Sequence, residues 1–148
     1  MNYLAYMEIR NLRKLIPLAL VLAVTGCATK PVSNTDAKPV PEKRILNKEI
    51  IKQAEGTGKV ILKRDTGYMG SACNIRVYAD GKEIADLSTG EIISIYPVVG
   101  EHIFSAWPKG VCGGGMVEIS GNVTKDKALM YRVGYGTNAD FGIYPTAF

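Results

Sequence analysis

The sequence has few of the residues from which catalytic and metal sites are usually built. Its 148 residues include one histidine and three cysteines. Cys27, Cys73 and Cys112 have no CxxC spacing, and together with His102 they do not form a set spaced like the ligands of a zinc site. The carboxylates are scattered, and no two stand out as an acid–base pair. We therefore predict a protein that is not an enzyme and that holds no cofactor and no metal.

The sequence also lacks an apolar run long enough to span a bilayer as a helix, which takes about 20 residues. Its apolar run at 16–24 follows a basic flank at 10–14, which is the layout of a secretory signal. The run ends in VTGC at 24–27, which resembles the lipobox of bacterial lipoproteins: an aliphatic residue, two small residues and a cysteine. We therefore predict that residues 1–26 are a lipoprotein signal peptide and that Cys27 carries fatty acyl chains such as palmitate, which anchor the protein in a membrane.

The residue after Cys27 is Ala28. The resemblance to enteric lipoproteins that lack a retention aspartate at this position implies the outer membrane, with the domain on the periplasmic face or at the cell surface. A start at Met7 instead of Met1 would give a signal of more usual length, and both starts remain open. Because the signal holds three basic residues and one acidic residue, its removal lowers the formal charge from +4 to about +2. We therefore expect no nucleic-acid partner.

Two segments are predicted between the lipidated cysteine and the strands. Residues 27–44 combine prolines with small polar residues and show no apolar period, so we expect a flexible tether. Residues 45–54 are expected to form one short helix with Asn47 as its N-cap, ending before the glycines at 56 and 58. The folded domain is then predicted to span 45–148. The isoleucines and leucine of the helix, Ile45, Leu46, Ile50 and Ile51, would lie on one side and cover the sheet.

Beyond the helix, residues alternate with the period of two that is typical of strands. Val60 and Leu62 are expected to face the core, and Ile61 and Lys63 the other side. Asp80-Gly81 is a strong hairpin signal. The sequence predicts a mostly β fold, a single antiparallel β-sandwich or small barrel of seven or eight strands with the one short N-terminal helix after the tether. The predicted strands lie at 59–63, 74–79, 84–87, 92–96, 101–107, 116–123, 129–135 and 141–144.

The two cysteines that remain after lipidation of Cys27 form an even pair in an oxidising envelope, and we predict a Cys73–Cys112 disulfide. It would close a loop of about 40 residues, for which the chain-entropy model gives roughly 4 kcal/mol of stabilisation. The alternative, a reactive thiol pair, has no charged activating neighbour in the sequence.

Both cysteines lie in glycine-rich runs, GYMGSAC at 67–73 and GVCGGG at 110–115. The second run is not a phosphate-binding P-loop, because no Lys-Ser/Thr and no helix follow it. Its glycines either let the chain pass close to Cys73 or present backbone amides to an anion. We predict a binding loop made of Tyr68, Met69, Gly113, Gly114 and Gly115. Candidate aromatic contacts are Tyr68, Trp107, Tyr135 and Tyr144.

Three runs carry a resemblance to a known group of proteins: GKVILKRD at 58–65, GYMGSACNIRVYADGKEIADLSTGE at 67–91, and YPVVGEHIFSAW at 96–107. They resemble a family of small bacterial envelope lipoproteins of unknown function, and the outline is similar to PEGA-type β-sandwich domains. The resemblance implies a β-sandwich in the envelope and no catalytic residues. We expect a non-enzymatic module that binds an envelope protein or glycan. The alternative is an inhibitor or immunity-type lipoprotein that blocks an envelope hydrolase with the loop at 109–115.

Overall fold

A computed structural model describes residues 29–136 and 138–147, and in these ranges the chain forms nine strands and one 3-10 helix. The mostly β fold and the predicted strands are confirmed, and the two-residue strand β1 has no counterpart among the predictions. The predictions on residues 1–28, the signal peptide and the lipidated Cys27, lie outside the described residues. The elements are β1 (Lys38–Pro39), the 3-10 helix (Glu42–Arg44), β2 (Val60–Arg64), β3 (Ile75–Ala79), β4 (Lys82–Leu87), β5 (Glu91–Ile95), β6 (Gly100–Pro108), β7 (Val117–Val123), β8 (Leu129–Tyr135) and β9 (Phe141–Pro145).

The strands form two sheets that pack as a sandwich. One sheet has five strands in the order β1-β5-β2-β8-β9, and the other has four in the order β4-β3-β6-β7. The four-stranded sheet is antiparallel throughout, as predicted. The five-stranded sheet is mixed, because β2 runs parallel to β8, with Leu62 opposite Tyr131, and β1 runs parallel to β5. The prediction of a wholly antiparallel fold is therefore wrong for this sheet, in which strands far apart in the sequence are neighbours.

The hydrophobic core lies between the two sheets and is built by the alternation seen in the sequence. Val60 and Leu62 of β2 and Ile75 and Val77 of β3 are buried in one core cluster. Removing such apolar surface from water is the main force that holds the sheets together. At the centre, the ring of Phe104 packs 5.3 Å from that of Tyr131.

Strand β2 is buried on both faces, which the period of two did not predict. Lys63, expected on the outer side, is buried, and its Nζ donates a hydrogen bond to the carbonyl of Val32 at 2.9 Å. Val32 and Val40 are themselves buried, and β1 pairs with β5 between them. The prediction of a flexible tether at 27–44 is therefore wrong for residues 29–44: residues 30–40 lie against the five-stranded sheet, and residues 42–44 lie against β4 of the other sheet.

The predicted helix at 45–54 is also wrong, since these residues form turns and bends. Ile45 bridges to Ala85, and the amide of Leu46 donates to the carbonyl of Ile84 at 2.8 Å, so the chain runs along the free edge of β4. Asn47 accepts hydrogen bonds from the two amides that follow at 49 and 50, as in a turn. An isolated helix this short is marginal in water, and hydrogen bonds to the sheet edge replace it.

The sandwich has two ends, which we name for later use. The β2–β3, β6–β7 and β8–β9 loops meet at one end, because the start of β3 lies opposite the end of β6 and the end of β8 lies opposite the start of β9. We call this the bridged end, and it comprises residues 65–74, 109–116 and 138–140. The hairpin end lies opposite and comprises the turns at 80–81 and 96–99. Among the helices of the described ranges, none is long and apolar enough to cross a membrane.

Candidate functional site

The bridged end is held together by the predicted disulfide. Cys73, in the loop after β2, is bonded to Cys112, in the loop after β6, with their Cα atoms 6.0 Å apart. The amide of Cys112 also donates to the Sγ atom of Cys73 at 3.1 Å. The bond joins the loop that connects the two sheets, between β2 and β3, to the loop between β6 and β7 of the four-stranded sheet, so it holds these two loops of the bridged end together. The disulfide prediction is confirmed.

A buried arginine supports the same loops from inside. Arg64, at the end of β2, is only 2% exposed. Its guanidinium donates to the carbonyl of Gly70 at 2.6 Å, to that of Leu87 at 2.8 Å, and to that of Cys73. Burial lowers the pKa of Arg64, but an arginine stays protonated even so. Charged hydrogen bonds of this kind are about twice as strong as neutral ones, so Arg64 fixes the backbone of the loop at 70–73.

The next residue, Asp65, forms a second buried contact at this end. It is 3% exposed, and its Oδ2 atom accepts a hydrogen bond from Nη1 of Arg132 at 2.6 Å. Burial raises the pKa of Asp65, and the Arg132 guanidinium reverses only part of this effect. A Cβ atom at Gly134 would lie 2.8 Å from Oδ2, so glycine is needed there. The sequence pattern assigned no role to Arg64 or Asp65, and their buried contacts show that the role is structural.

A pocket of about 340 Å³ opens between the three loops of the bridged end. The Tyr135 ring lies 5.2 Å from the ring of Phe141, and its hydroxyl donates to the carbonyl of Gly113 at 3.2 Å. Gly70 has a positive φ of 69°, and a Cβ atom there would overlap the Tyr135 ring. The glycine therefore allows the loop to pass directly over the aromatic ring. The lining residues are Met69, Gly70, Cys112, Gly113, Gly114, Tyr135 and Ala139.

The structure brings most of the predicted binding loop together. Met69, Gly113 and Gly114 line the pocket, whereas Tyr68 points to solvent beside it with 81% of its surface exposed. Gly115 is exposed on the chain that leads to β7 and does not line the pocket. Sequence reasoning thus located both loops.

Apolar side chains project from the bridged end. Besides Tyr68, these are Val111, 94% exposed, and Met116, 45% exposed. Trp107, at the adjoining end of β6, is 43% exposed, and Nζ of Lys109 lies 5.3 Å from the centre of its ring. Val111 was missed in the sequence, because a single valine in a glycine-rich loop belongs to no periodic pattern. Of the other predicted aromatic contacts, Tyr135 is wrong as a surface contact since it is buried.

Tyr144 is half-buried rather than fully exposed. The guanidinium carbon of Arg132 lies 4.9 Å from the centre of its ring, and its hydroxyl hydrogen-bonds to Asp140 at 3.4 Å. These contacts give Tyr144 a role in packing β8 against β9.

The single histidine lies away from this site, on β6 at the hairpin end. Nδ1 of His102 is 2.7 Å from Oδ2 of Asp80, and Nε2 is 2.7 Å from the carbonyl oxygen of Val98. Burial lowers the pKa of His102, but the two acceptors outweigh it and the pKa is raised overall. Neither ring nitrogen is left to act on a substrate. Across residues 29–136 and 138–147, no group of three or more His, Cys, Asp or Glu side chains is placed to hold a metal ion.

A second pocket, of about 290 Å³, lies at the open side of the sandwich between β7 and the β8–β9 pair. It is lined mainly by apolar side chains, among them Ile119, Leu129, Tyr131 and Pro145. None of the predicted site residues contributes to it. We therefore take the bridged end as the candidate site.

No family model and no curated protein matches the chain. Among solved structures, the chain is similar to a protein from Eubacterium rectale whose structure was determined by NMR. The two chains are 15% identical with a TM-score of 0.43, and the match covers 64% of this chain and 92% of the other. The resemblance to envelope lipoproteins and to PEGA-type domains stays a prediction.

Proposed function

We propose that this protein is an outer-membrane lipoprotein anchored by the lipid on Cys27, and that its β-sandwich is a non-enzymatic module that binds an envelope component through the bridged end. The observation that supports this most directly is the path of the chain after the predicted anchor. The hydroxyl of Thr29 donates to the carbonyl of Tyr135, and Lys30 forms two backbone hydrogen bonds with Thr66. The chain therefore leaves the anchor and reaches the exposed loops at once.

The chemistry of the described side chains supports binding rather than catalysis. Cys73 and Cys112 are joined to each other, His102 is held between two acceptors, and Asp65 is paired with Arg132. Each of these groups, which could otherwise act as a nucleophile, acid or base, has a structural partner. What remains accessible is a braced surface of backbone and apolar side chains, which is suited to recognition.

Metabolic labelling with palmitate, followed by membrane fractionation, tests the anchoring. The wild-type protein is expected to incorporate label and to fractionate with the outer membrane. The Cys27→Ala variant is expected to incorporate none. An unlabelled wild-type protein that is secreted normally would contradict the proposal.

The alternative is an inhibitor or immunity-type lipoprotein, and the position of Val111 is the observation that favours it. Val111 projects from a loop braced by the disulfide and is almost fully exposed, as in a rigid inhibitory loop. An excess of the purified protein should then suppress peptidoglycan hydrolysis by a lysozyme-type enzyme, and Val111→Asp should restore it. Full hydrolase activity in the presence of the wild-type protein would remove this alternative for that enzyme class.

A further inference from the structure

We infer that the bridged end lies on the bilayer, so that the envelope component it contacts is the lipid surface itself. This inference rests on the lipid anchor proposed above and adds the orientation of the domain. It assigns to Tyr68, Trp107 and Val111 the role of interfacial contacts.

The first argument is the length of chain between the anchor and the domain. Cys27 precedes Thr29 by two residues, which span at most about 7 Å even when fully extended. Thr29 and Lys30 are already hydrogen-bonded to Tyr135 and Thr66 at the bridged end. A tether of 17 residues could have lifted the domain some 50–60 Å from the membrane. Instead, the segment after Lys30 runs back along the sheet, and the lipid on Cys27 must enter the bilayer next to the bridged end.

The second argument is the chemistry of the side chains that surround this point. Tyr68 is 81% exposed, Val111 is 94% exposed, and Trp107 is exposed on β6 just before Pro108. Tyrosine and tryptophan are enriched where membrane and water meet, because one part of each ring system is apolar and the other is polar. Lys30 and Lys109 add two positive charges that suit the headgroups of anionic lipids.

The third argument is a comparison with the hairpin end, which also exposes apolar side chains. Val98 and Val99 project there, with the exposed carboxylates of Asp80 and Glu101 in the same region, whereas the bridged end has one exposed carboxylate, that of Asp140. This end carries no aromatic side chain among the exposed large hydrophobic residues. It is also the end away from Thr29 and Lys30. Val98 therefore provides a matched control for Val111: the same residue type, exposed, on the opposite end.

The single tryptophan of the chain is a native probe for the test. The full-length lipidated protein is reconstituted into vesicles of phosphatidylethanolamine and phosphatidylglycerol, with or without lipids brominated near the headgroup. Quenching of Trp107 fluorescence is then measured with the brominated lipids and with aqueous acrylamide. We expect strong quenching by the brominated lipids and a several-fold loss of acrylamide quenching relative to the unfolded chain in denaturant.

Substitutions at each end test which of the two ends contacts the lipid. Tyr68→Asp combined with Val111→Asp should expose Trp107 to acrylamide and remove most quenching by the brominated lipids, whereas Val98→Asp should change neither. Because all three side chains are exposed, the variants should fold, and an unchanged thermal transition with an intact disulfide checks this. Equal quenching by brominated lipids in all variants would overturn the inference.

Two further outcomes also contradict the inference, and they can be told apart from a failure of the anchor. If the wild-type protein floats with the vesicles but Trp107 stays open to acrylamide, the anchor stands and the orientation is wrong. If Trp107 becomes shielded only in native outer-membrane vesicles, a protein or glycan covers the bridged end instead of lipid. Protein that neither incorporates palmitate nor floats would instead refute the anchoring itself.

Discussion

The two ends of the sandwich are built by different means. At the hairpin end, the turn at 80–81 closes locally, since Asp80 and Gly81 both have positive φ, at 49° and 73°, as the tight hairpin predicted from the sequence requires. The turn at 96–99 is held by backbone hydrogen bonds to Gly56 and Gly58. The bridged end is closed instead by a covalent bond between distant residues, Cys73–Cys112, and by the hydrogen bonds of one buried side chain, Arg64. Irregular loops lack the regular backbone hydrogen bonds of strands, so they need such links to keep one conformation. The bridged end, which needs these additional links, is the end to which we assign the binding function.

Among changes at the two ends, removing the disulfide is expected to have the largest effect on stability. Replacing Cys73 and Cys112 together by alanine should lower the free energy of unfolding by about 4 kcal/mol, because the unfolded chain regains the entropy of a 39-residue separation. Chemical denaturation of the wild type and the double variant under non-reducing conditions measures this. A loss below about 1 kcal/mol would mean that the loops hold their shape without the bond.

Replacing Arg64 by methionine should have the next largest effect. The variant keeps an apolar side chain of similar length but removes the hydrogen bonds to three carbonyl groups, two of them buried, at roughly 1 kcal/mol each. Arg76→Met is the control, since Arg76 pairs with Asp86 and Glu83 on the outer face of the four-stranded sheet. We expect about 3 kcal/mol for Arg64→Met and about 1 kcal/mol for the control. Equal losses would contradict the special role of Arg64.

Substituting one glycine with positive φ at each end compares the stability of the two ends directly. Gly70→Ala meets both an unfavourable φ and the ring of Tyr135, whereas Gly81→Ala meets an unfavourable φ alone, with no atom within 4 Å of the new Cβ. Gly81→Ala should cost about 1–2 kcal/mol. Gly70→Ala should cost about 1–3 kcal/mol more, the usual range for overpacking. Thermal unfolding of the two variants side by side would measure the difference. Similar transition temperatures would show that the loop at residue 70 can move away from the Tyr135 ring and is not fixed there.

The smallest effect belongs to His102 at the hairpin end. Its pKa is raised in the folded protein, so its contribution to stability is complete below the unfolded value of about 6.5 and is lost as the pH rises through the folded value. The pKa of Asp80 is lowered, so this carboxylate stays ionised over that range. We expect a loss of about 1 kcal/mol or less between pH 6 and pH 9. His102→Gln should remove this pH dependence of the free energy of unfolding. If the variant kept the full dependence, a group other than His102 would be its cause.

The sequence predicted what depends on local pattern. Apolar alternation located the strands, Asp80-Gly81 located the hairpin, and the two remaining cysteines predicted the disulfide. It failed where distant residues decide the conformation. The proline-rich segment before β2 resembles a spacer, yet Val32 and Val40 are buried on the sheet.

The candidate site shows the same limit. The two glycine-rich loops were predicted to contribute to it, and the structure places them together around one pocket. The roles of Arg64 and Asp65 were not predicted, since their partners at Leu87 and Arg132 follow from the register of strands remote in sequence, and the contact with Gly70 from the path of an irregular loop. The exposure of Val111 likewise depends on how the braced loop projects from the end of the sandwich.

Hydrogen exchange tests the contrast between the two ends most directly. The lipidated protein in phospholipid vesicles is compared with a secreted form that has an ordinary signal peptide and Cys27→Ala. The account predicts that vesicles slow exchange in peptides covering 66–74 and 109–116 and leave 80–81 and 96–99 unchanged. Slowed exchange at the hairpin end, or equal exchange rates in both forms at the bridged end, would contradict it.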